Sequence, residues 1–133
     1  MAERFFDTTV LLYLLSADAT KANRVEETLA AGATISAQVL NEFASVALRK
    51  LGMTVAEVRD ALDPIMAICN VLPVTVETHK RGLQVAERYR FSIYDALTIA
   101  TALDAGCSTL YTENLQDGQV IEDTLTIRNP FRG

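Results

Sequence analysis

Apolar and polar positions alternate along this chain in blocks that read as short buried strands feeding helices. Arg4 to Phe6 is a brief buried strand, and Thr9 to Leu15 opens a helix with Thr8 or Thr9 as candidate caps. A polar loop from Ser16 to Thr20 leads to a helix over Lys21 to Ala31, whose apolar face carries Val25 and Leu29, and Gly32 stops it. Thr34 to Ser36 is the next strand, followed by a helix over Ala37 to Lys50 that ends at Gly52. Thr54 with Glu57 three positions on is a capping box that opens a helix to about Ile68, so the middle of the chain is a helical hairpin. Val71 to Val74 predicts a strand, Val76 to Tyr89 and Ile93 to Ala105 two helices, and Thr109 to Tyr111 and Leu125 to Arg128 two last strands. Strands alternating with helices predict an α/β fold with a parallel sheet covered on both faces, and such sheets hold their sites at the carboxyl ends of the strands.

That edge is where this pattern delivers carboxylates. Asp7 follows the first strand, and Glu113, Asn114 and Asp117 follow Thr109 to Tyr111, while Glu42 and Asp95 lie in the opening turns of helices facing the same edge. Glu42 has Gln38, Ser45 and Val46 as helical neighbours, none of them basic. Each acid also has an ordinary reading: Asp7 as a helix cap, Glu42 as a solvated side chain, Asp95 as the last residue of the capping-box pattern Ser92-Ile93-Tyr94-Asp95, and Glu113 to Asp117 as a polar turn. Several unpaired carboxylates gathered in one fold repel one another and lose hydration, which favours a cation between them. A divalent hard ion is the simplest such partner.

Composition narrows the chemistry further. The 133 residues suffice for one domain over 1–133, and a hydrophobic content of 50% suffices for a core without staples. A net charge of −5 and a pI near 4.8 argue against sequence-independent coating of nucleic acid or anionic membrane, so a nucleic-acid substrate requires a local basic patch. Arg49, Lys50, Arg88 and Arg90 are candidates for it, with Phe91 or Tyr94 as a stacking surface. No apolar run reaches the roughly 20 residues of a bilayer span, and Met-Ala-Glu-Arg does not read as a signal peptide, so the expected location is cytoplasmic without a membrane partner. Cys69 and Cys107 sit among apolar neighbours and read as buried free thiols. His79, the one histidine, reads as a surface residue, and the six glycines form no phosphate loop, which leaves metal chemistry.

Four segments in order carry a resemblance: Phe6-Asp7-Thr8-Thr9-Val10-Leu11-Leu12-Tyr13, Ser36-Ala37-Gln38-Val39-Leu40-Asn41-Glu42-Phe43, Tyr94-Asp95-Ala96-Leu97-Thr98-Ile99-Ala100 and Leu110-Tyr111-Thr112-Glu113-Asn114-Leu115-Gln116-Asp117-Gly118. Together the chain resembles PIN-domain ribonucleases of the VapC toxin type over nearly its whole length. The resemblance implies a three-layer α/β/α sandwich, an endoribonuclease dependent on Mg2+ or Mn2+, a homodimer, and a cognate VapB-like antitoxin that blocks the site. It implies metal binding by Asp7, Glu42 and Asp95, with Asp7 and Asp95 as direct ligands and Glu42 placing metal or water. The family often has aspartate where this chain has Asn114, so Asp117 or Asn114, with Glu113 beside them, is expected to complete the set. Thr9 stands where asparagine is common. An arginine of the antitoxin forking onto the acids is the expected inhibitory contact. The competing readings are a binding module of the same fold without turnover and a magnesium-binding phosphoacceptor of the receiver type. A phosphatase with a nucleophilic aspartate wants a second aspartate where Thr9 stands, and a receiver wants a late lysine, whereas the last lysine here is Lys80.

Overall fold

The computed structural model describes residues 3–132, so the ends of the expected domain, Met1, Ala2 and Gly133, lie outside the described residues. Its elements are β1 (Arg4–Phe6), α1 (Thr8–Leu11) continued by a 3-10 turn (Leu12–Leu15), α2 (Ala19–Ala30), β2 (Ala33–Ser36), α3 (Ala37–Arg49), α4 (Val55–Ile68), β3 (Cys69–Leu72), α5 (Val76–Tyr89), α6 (Ile93–Asp104), β4 (Thr109–Tyr111), β5 (Val120–Ile121) and β6 (Leu125–Arg128). The six strands order as β3-β2-β1-β4-β6-β5, all parallel except the pairing of β5 with β6. The chain steps outward from β1 to β3 through α1 to α4, then back across the sheet to β4 through α5 and α6, and crossovers of the usual right hand in opposite directions put their helices on opposite faces. The helices therefore divide between the two faces, the expected α/β/α sandwich. Phe5, Phe6, Ile35, Leu110 and Ile127 are fully buried because the central strands are covered on both sides.

Four local features depart from the sequence expectation, each for a definable reason. Asp7 itself, rather than Thr8 or Thr9, caps α1, its Oδ1 accepting the Thr8 N–H at 2.8 Å. The helix expected to run to Leu15 tightens into a 3-10 turn after Leu11. Strand β3 lies two residues earlier than expected, paired with β2 from Ala33 opposite Cys69 to Ser36 opposite Leu72; Pro73 has no N–H to extend the ladder. Strand β5 was not expected at all. It is two residues long and turns into β6 through Glu122 and Asp123, both at positive φ, without the Asn-Gly signal that usually marks such a turn. Cys107 is buried as expected and Cys69 only half-buried, and both are free thiols.

Two close approaches place the site. Ser36 ends β2 and caps α3 directly, accepting the Val39 N–H at 3.1 Å, so Glu42 follows the sheet edge with no intervening loop. Gly82 of α5 is buried against α6, where a Cβ would lie 2.8 Å from Leu97 Cδ2. The missing side chain lets α6 seat close to α5 and fixes the helix that bears Asp95. Among the described residues no helix is long and apolar enough to cross a membrane.

Candidate active site

The topology reverses between β1 and β4. From β1 the chain steps outward to β2 and β3, and β4 returns on the other side, which opens a crevice at their carboxyl ends. Asp7 follows β1 and Thr112 follows β4 into this crevice, joined by a backbone bond from the Asp7 N–H to the Tyr111 carbonyl at 3.0 Å. The Asp7 carboxylate is 7% exposed and firmly oriented. Its Oδ2 accepts the Thr112 hydroxyl at 2.8 Å and the Thr9 hydroxyl at 3.2 Å, while Oδ1 accepts only the Thr8 N–H. Two hydroxyls occupy Oδ2, so the open lone-pair direction of this carboxylate belongs to Oδ1.

Glu42 and Asp95 act on the same point electrostatically. Burial raises the Asp7 carboxyl above its ordinary range, the three hydrogen bonds oppose that, and the Asp95 charge adds to it. Glu42 is also raised, first by burial and further by Asp7 and Asp95, while Gln38 donates to its Oε1 at 3.2 Å and lowers it. Among the described residues no lysine or arginine forms an ion pair with any of these three acids. Asp95 is half-buried at the start of α6, where its backbone N–H bonds the Ser92 hydroxyl at 3.2 Å. The reciprocal bond from the Asp95 carboxylate back to Ser92 is not formed, so the capping pattern leaves that side chain uncommitted.

The fourth position divides. Glu113 is half-buried beside the site: its N–H donates to Thr9 Oγ1 at 3.3 Å, and its carboxylate meets the Tyr13 hydroxyl, the main cause of the raised Tyr13 pKa. Asn114 is exposed, its N–H on Thr112 Oγ1 at 3.1 Å. Asp117 is engaged elsewhere, its Oδ1 accepting the Asn129 N–H at 2.8 Å across to the end of β6. Thr112 is the residue that sequence reasoning passed over. It lay inside the last motif, but its grip on Asp7 depends on strands 105 residues apart in the chain. Of the expected basic patch, Arg88 is committed to Glu122 at 2.9 Å.

Among the described residues, no three acidic, histidine or cysteine side chains close on one point as a ready-made cage. Asp7, Glu42 and Asp95 instead share a crevice at longer range, an arrangement suited to a hard ion that retains several waters and takes one or two carboxylates directly. The chemistry of the donors, all oxygen and without a cationic partner, fits a hard divalent ion and not a thiolate-seeking metal.

Several solved structures share this architecture. A toxin–antitoxin complex from Klebsiella pneumoniae aligns with a TM-score of 0.73 at 20% identity, covering 97% of this chain and 98% of that one. The DNA-bound VapBC of Salmonella typhimurium aligns at 0.73 and 19% identity, covering 98% and 99%. The Mycobacterium tuberculosis toxin VapC20, described as cleaving the sarcin-ricin loop, aligns at 0.69 and 19% identity, covering 84% and 90%. At these identities the likeness is one of fold. No curated protein matches the chain significantly. The family model of the PIN domain matches residues 4–116, most of the chain: the chain belongs to the PIN domain family.

Proposed function

We propose that this protein is a divalent-metal-dependent endoribonuclease and the toxin of a toxin–antitoxin pair. The observation that carries the reading is the buried Asp7 carboxylate, fixed by Thr112 and Thr9, facing unpaired Glu42 and Asp95 at the switch point of the sheet. Membership in the PIN family and a fold shared with VapC-type toxins, one of them described as cleaving the sarcin-ricin loop, support it.

Magnesium or manganese, when bound, supplies Lewis-acid stabilisation of charge on the scissile phosphodiester and makes water a better nucleophile. The residues of this chain do the positioning. Asp7 offers Oδ1, Asp95 offers a carboxylate free of its capping partner, and Glu42, with Oε1 held by Gln38, has Oε2 left to orient metal or attacking water. Glu113 is the best placed of the three to complete the set: it is half-buried and its N–H bonds Thr9, whereas Asn114 is exposed and Asp117 accepts the Asn129 N–H. The same acids suit an inhibitor: an arginine of the antitoxin competes for them with charge-assisted, bidentate bonds.

Antitoxin-free protein incubated with structured RNAs and total tRNA, in magnesium, manganese or EDTA, tests the reading beside Asp7→Asn. Metal-dependent cuts at defined positions, absent in the variant, are expected. Equal cleavage by folded Asp7→Asn refutes the assignment, and no cleavage by inhibitor-free parent protein in any metal favours the binding-module alternative.

A further inference from the structure

The protein is acidic, yet four of its cations gather on one surface. Of its 12 lysines and arginines, three form ion pairs among the described residues, namely Lys80, Arg81 and Arg88. Lys21, Arg24, Arg128 and Arg132 are among the unpaired ones, and all four lie on one side of the crevice. Arg24, Arg128 and Arg132 line a cleft of about 290 Å³ between α2 and the β4–β6 face. Lys21 and Arg24 line the depression that continues it along α2. Arg132 and Asn129 are shared with a third hollow, whose wall is Glu113 and Asp117. The basic track therefore begins at the acidic site itself.

Its geometry follows from the sheet. Arg128 pairs with Tyr111 at the carboxyl ends of β6 and β4, and residues paired across strands project on the same face. Thr112, the next residue after Tyr111, holds Asp7 and bonds the Arg128 carbonyl through its N–H at 3.0 Å. Since β6 is two strand positions from β1, the guanidinium row starts about 10 Å across the sheet from Asp7. Beside it stands a pair of aromatic rings. Phe131 meets Tyr13 edge-on at 4.7 Å, and Lys21 Nζ sits 4.9 Å from the Tyr13 ring centre and 5.0 Å from that of Phe131. Guanidinium groups with an aromatic platform match the needs of single-stranded nucleic acid, phosphates on the cations and a base on the ring. Asp18 and Glu27 also border the track, which confines the positive potential to a strip and keeps the protein from coating RNA indiscriminately.

We infer that Arg24, Arg128 and Arg132, with Lys21 and Phe131, form the track that holds the RNA strand on one side of the scissile phosphate. The inference rests on the ribonuclease reading of the acidic site, but its test is separable from it. The probe is a fluorescein-labelled single-stranded RNA dodecamer, titrated into Asp7→Asn protein over a series of salt concentrations. Each phosphate contact contributes about −0.7 to the slope of log affinity against log salt for a single strand. The triple variant Arg24→Gln/Arg128→Gln/Arg132→Gln should therefore flatten the slope by about 2 and weaken binding at least tenfold at low salt. Arg59→Gln, an exposed cation of α4 that lines none of these three hollows, should leave both unchanged. Phe131→Leu should weaken binding without moving the slope, which separates stacking from charge.

An unchanged slope and affinity in the folded triple variant overturns the track, whatever the cleavage assay shows. Loss of binding to poly-glutamate with RNA binding intact also overturns it and gives the surface to an acidic protein. A parent protein that cleaves nothing, while its RNA binding still falls in the triple variant, retires the nuclease and leaves the track standing.

Discussion

The starts of α4 and α6 carry the same sequence pattern and end in opposite states. At α4, Thr54 accepts the Glu57 N–H at 3.1 Å and Glu57 returns to the Thr54 N–H at 2.9 Å, a closed capping box. At α6, Ser92 accepts the Asp95 N–H, but the Asp95 carboxylate makes no return bond. Aspartate is one methylene shorter than the glutamate or glutamine this motif uses, and its reach back to the cap is poorer. The first acid is thus occupied by its own helix and fully solvated; the second stays available to the crevice where Asp7 and Glu42 lie. The same contrast holds for Glu122, which accepts Arg88 and the Tyr89 hydroxyl and so pins the β5–β6 turn. Glu57 and Glu122 are thus taken up by a closed cap or a cation, and Asp95 by neither.

The largest test of this contrast is on turnover. Asp95→Asn is expected to reduce RNA cleavage at least ~100-fold, equivalent to about 2.7 kcal/mol of barrier, with an unchanged melting temperature. Glu57→Ala should do the reverse, retaining the rate and melting earlier. Equal rates in the two variants would erase the distinction.

Metal binding should sharpen it next. Manganese at ten times its dissociation constant should stabilise the parent by about 1.4 kcal/mol, and calorimetry should show the same gain in Glu57→Ala. Asp7→Asn and Asp95→Asn should lose most of it. A full gain in Asp7→Asn would mean that the ion sits elsewhere.

Caps come third. Thr54→Ala and Ser92→Ala each remove an N-cap bond worth about 1 kcal/mol, so denaturant midpoints should fall alike. Only Ser92→Ala should also slow cleavage, because the turn it frays holds Asp95. Unequal midpoints with equal rates would count against the site's dependence on this turn.

The smallest effect is on pH dependence in EDTA. Asp7 and Glu42 are raised in the folded state, so their ionised forms disfavour folding at neutral pH, and this penalty eases as pH falls through their folded values toward the ordinary 3.8 and 4.5. Glu57 is lowered by its bonds to Thr54, so its support is present above 4.5 and is lost as pH falls through its folded value. In urea titrations, Asp7→Asn should therefore exceed the parent most at pH 7 and converge with it in mild acid. Glu57→Ala should fall short of the parent most at pH 7 and converge only below 4.5. A gap of one sign for both variants would contradict the comparison.

Much of this architecture was legible in local sequence. Helix α5 runs over Val76–Tyr89 and strands β1, β4 and β6 lie as their apolar runs indicate, because burial on both faces and terminal caps are encoded within a few residues of each element. Asp7, Glu42 and Asp95 could be singled out because each falls where a strand end or a helix start meets the carboxyl edge of the sheet, and Glu42 has no basic residue on its own helix face. What escaped was long-range. The ladder between β5 and β6 forms because Glu122, held by Arg88 and Tyr89 from α5, supports a turn of two residues at positive φ. The bond from the Asn129 N–H to Asp117, which ties the loop after β4 to the end of β6, is likewise outside the reach of the motif that contains Asp117.

The sequence by itself determined the order of elements and the supply of uncommitted carboxylates, since helix periodicity, caps and charge spacing act over four residues or fewer. Only the tertiary structure decided which acids share a crevice, that Thr112 fixes Asp7, and that Arg24 gathers with Arg128 and Arg132. Those outcomes depend on strand order, and strand order is set by burial and crossover handedness across the whole sheet rather than by any single segment.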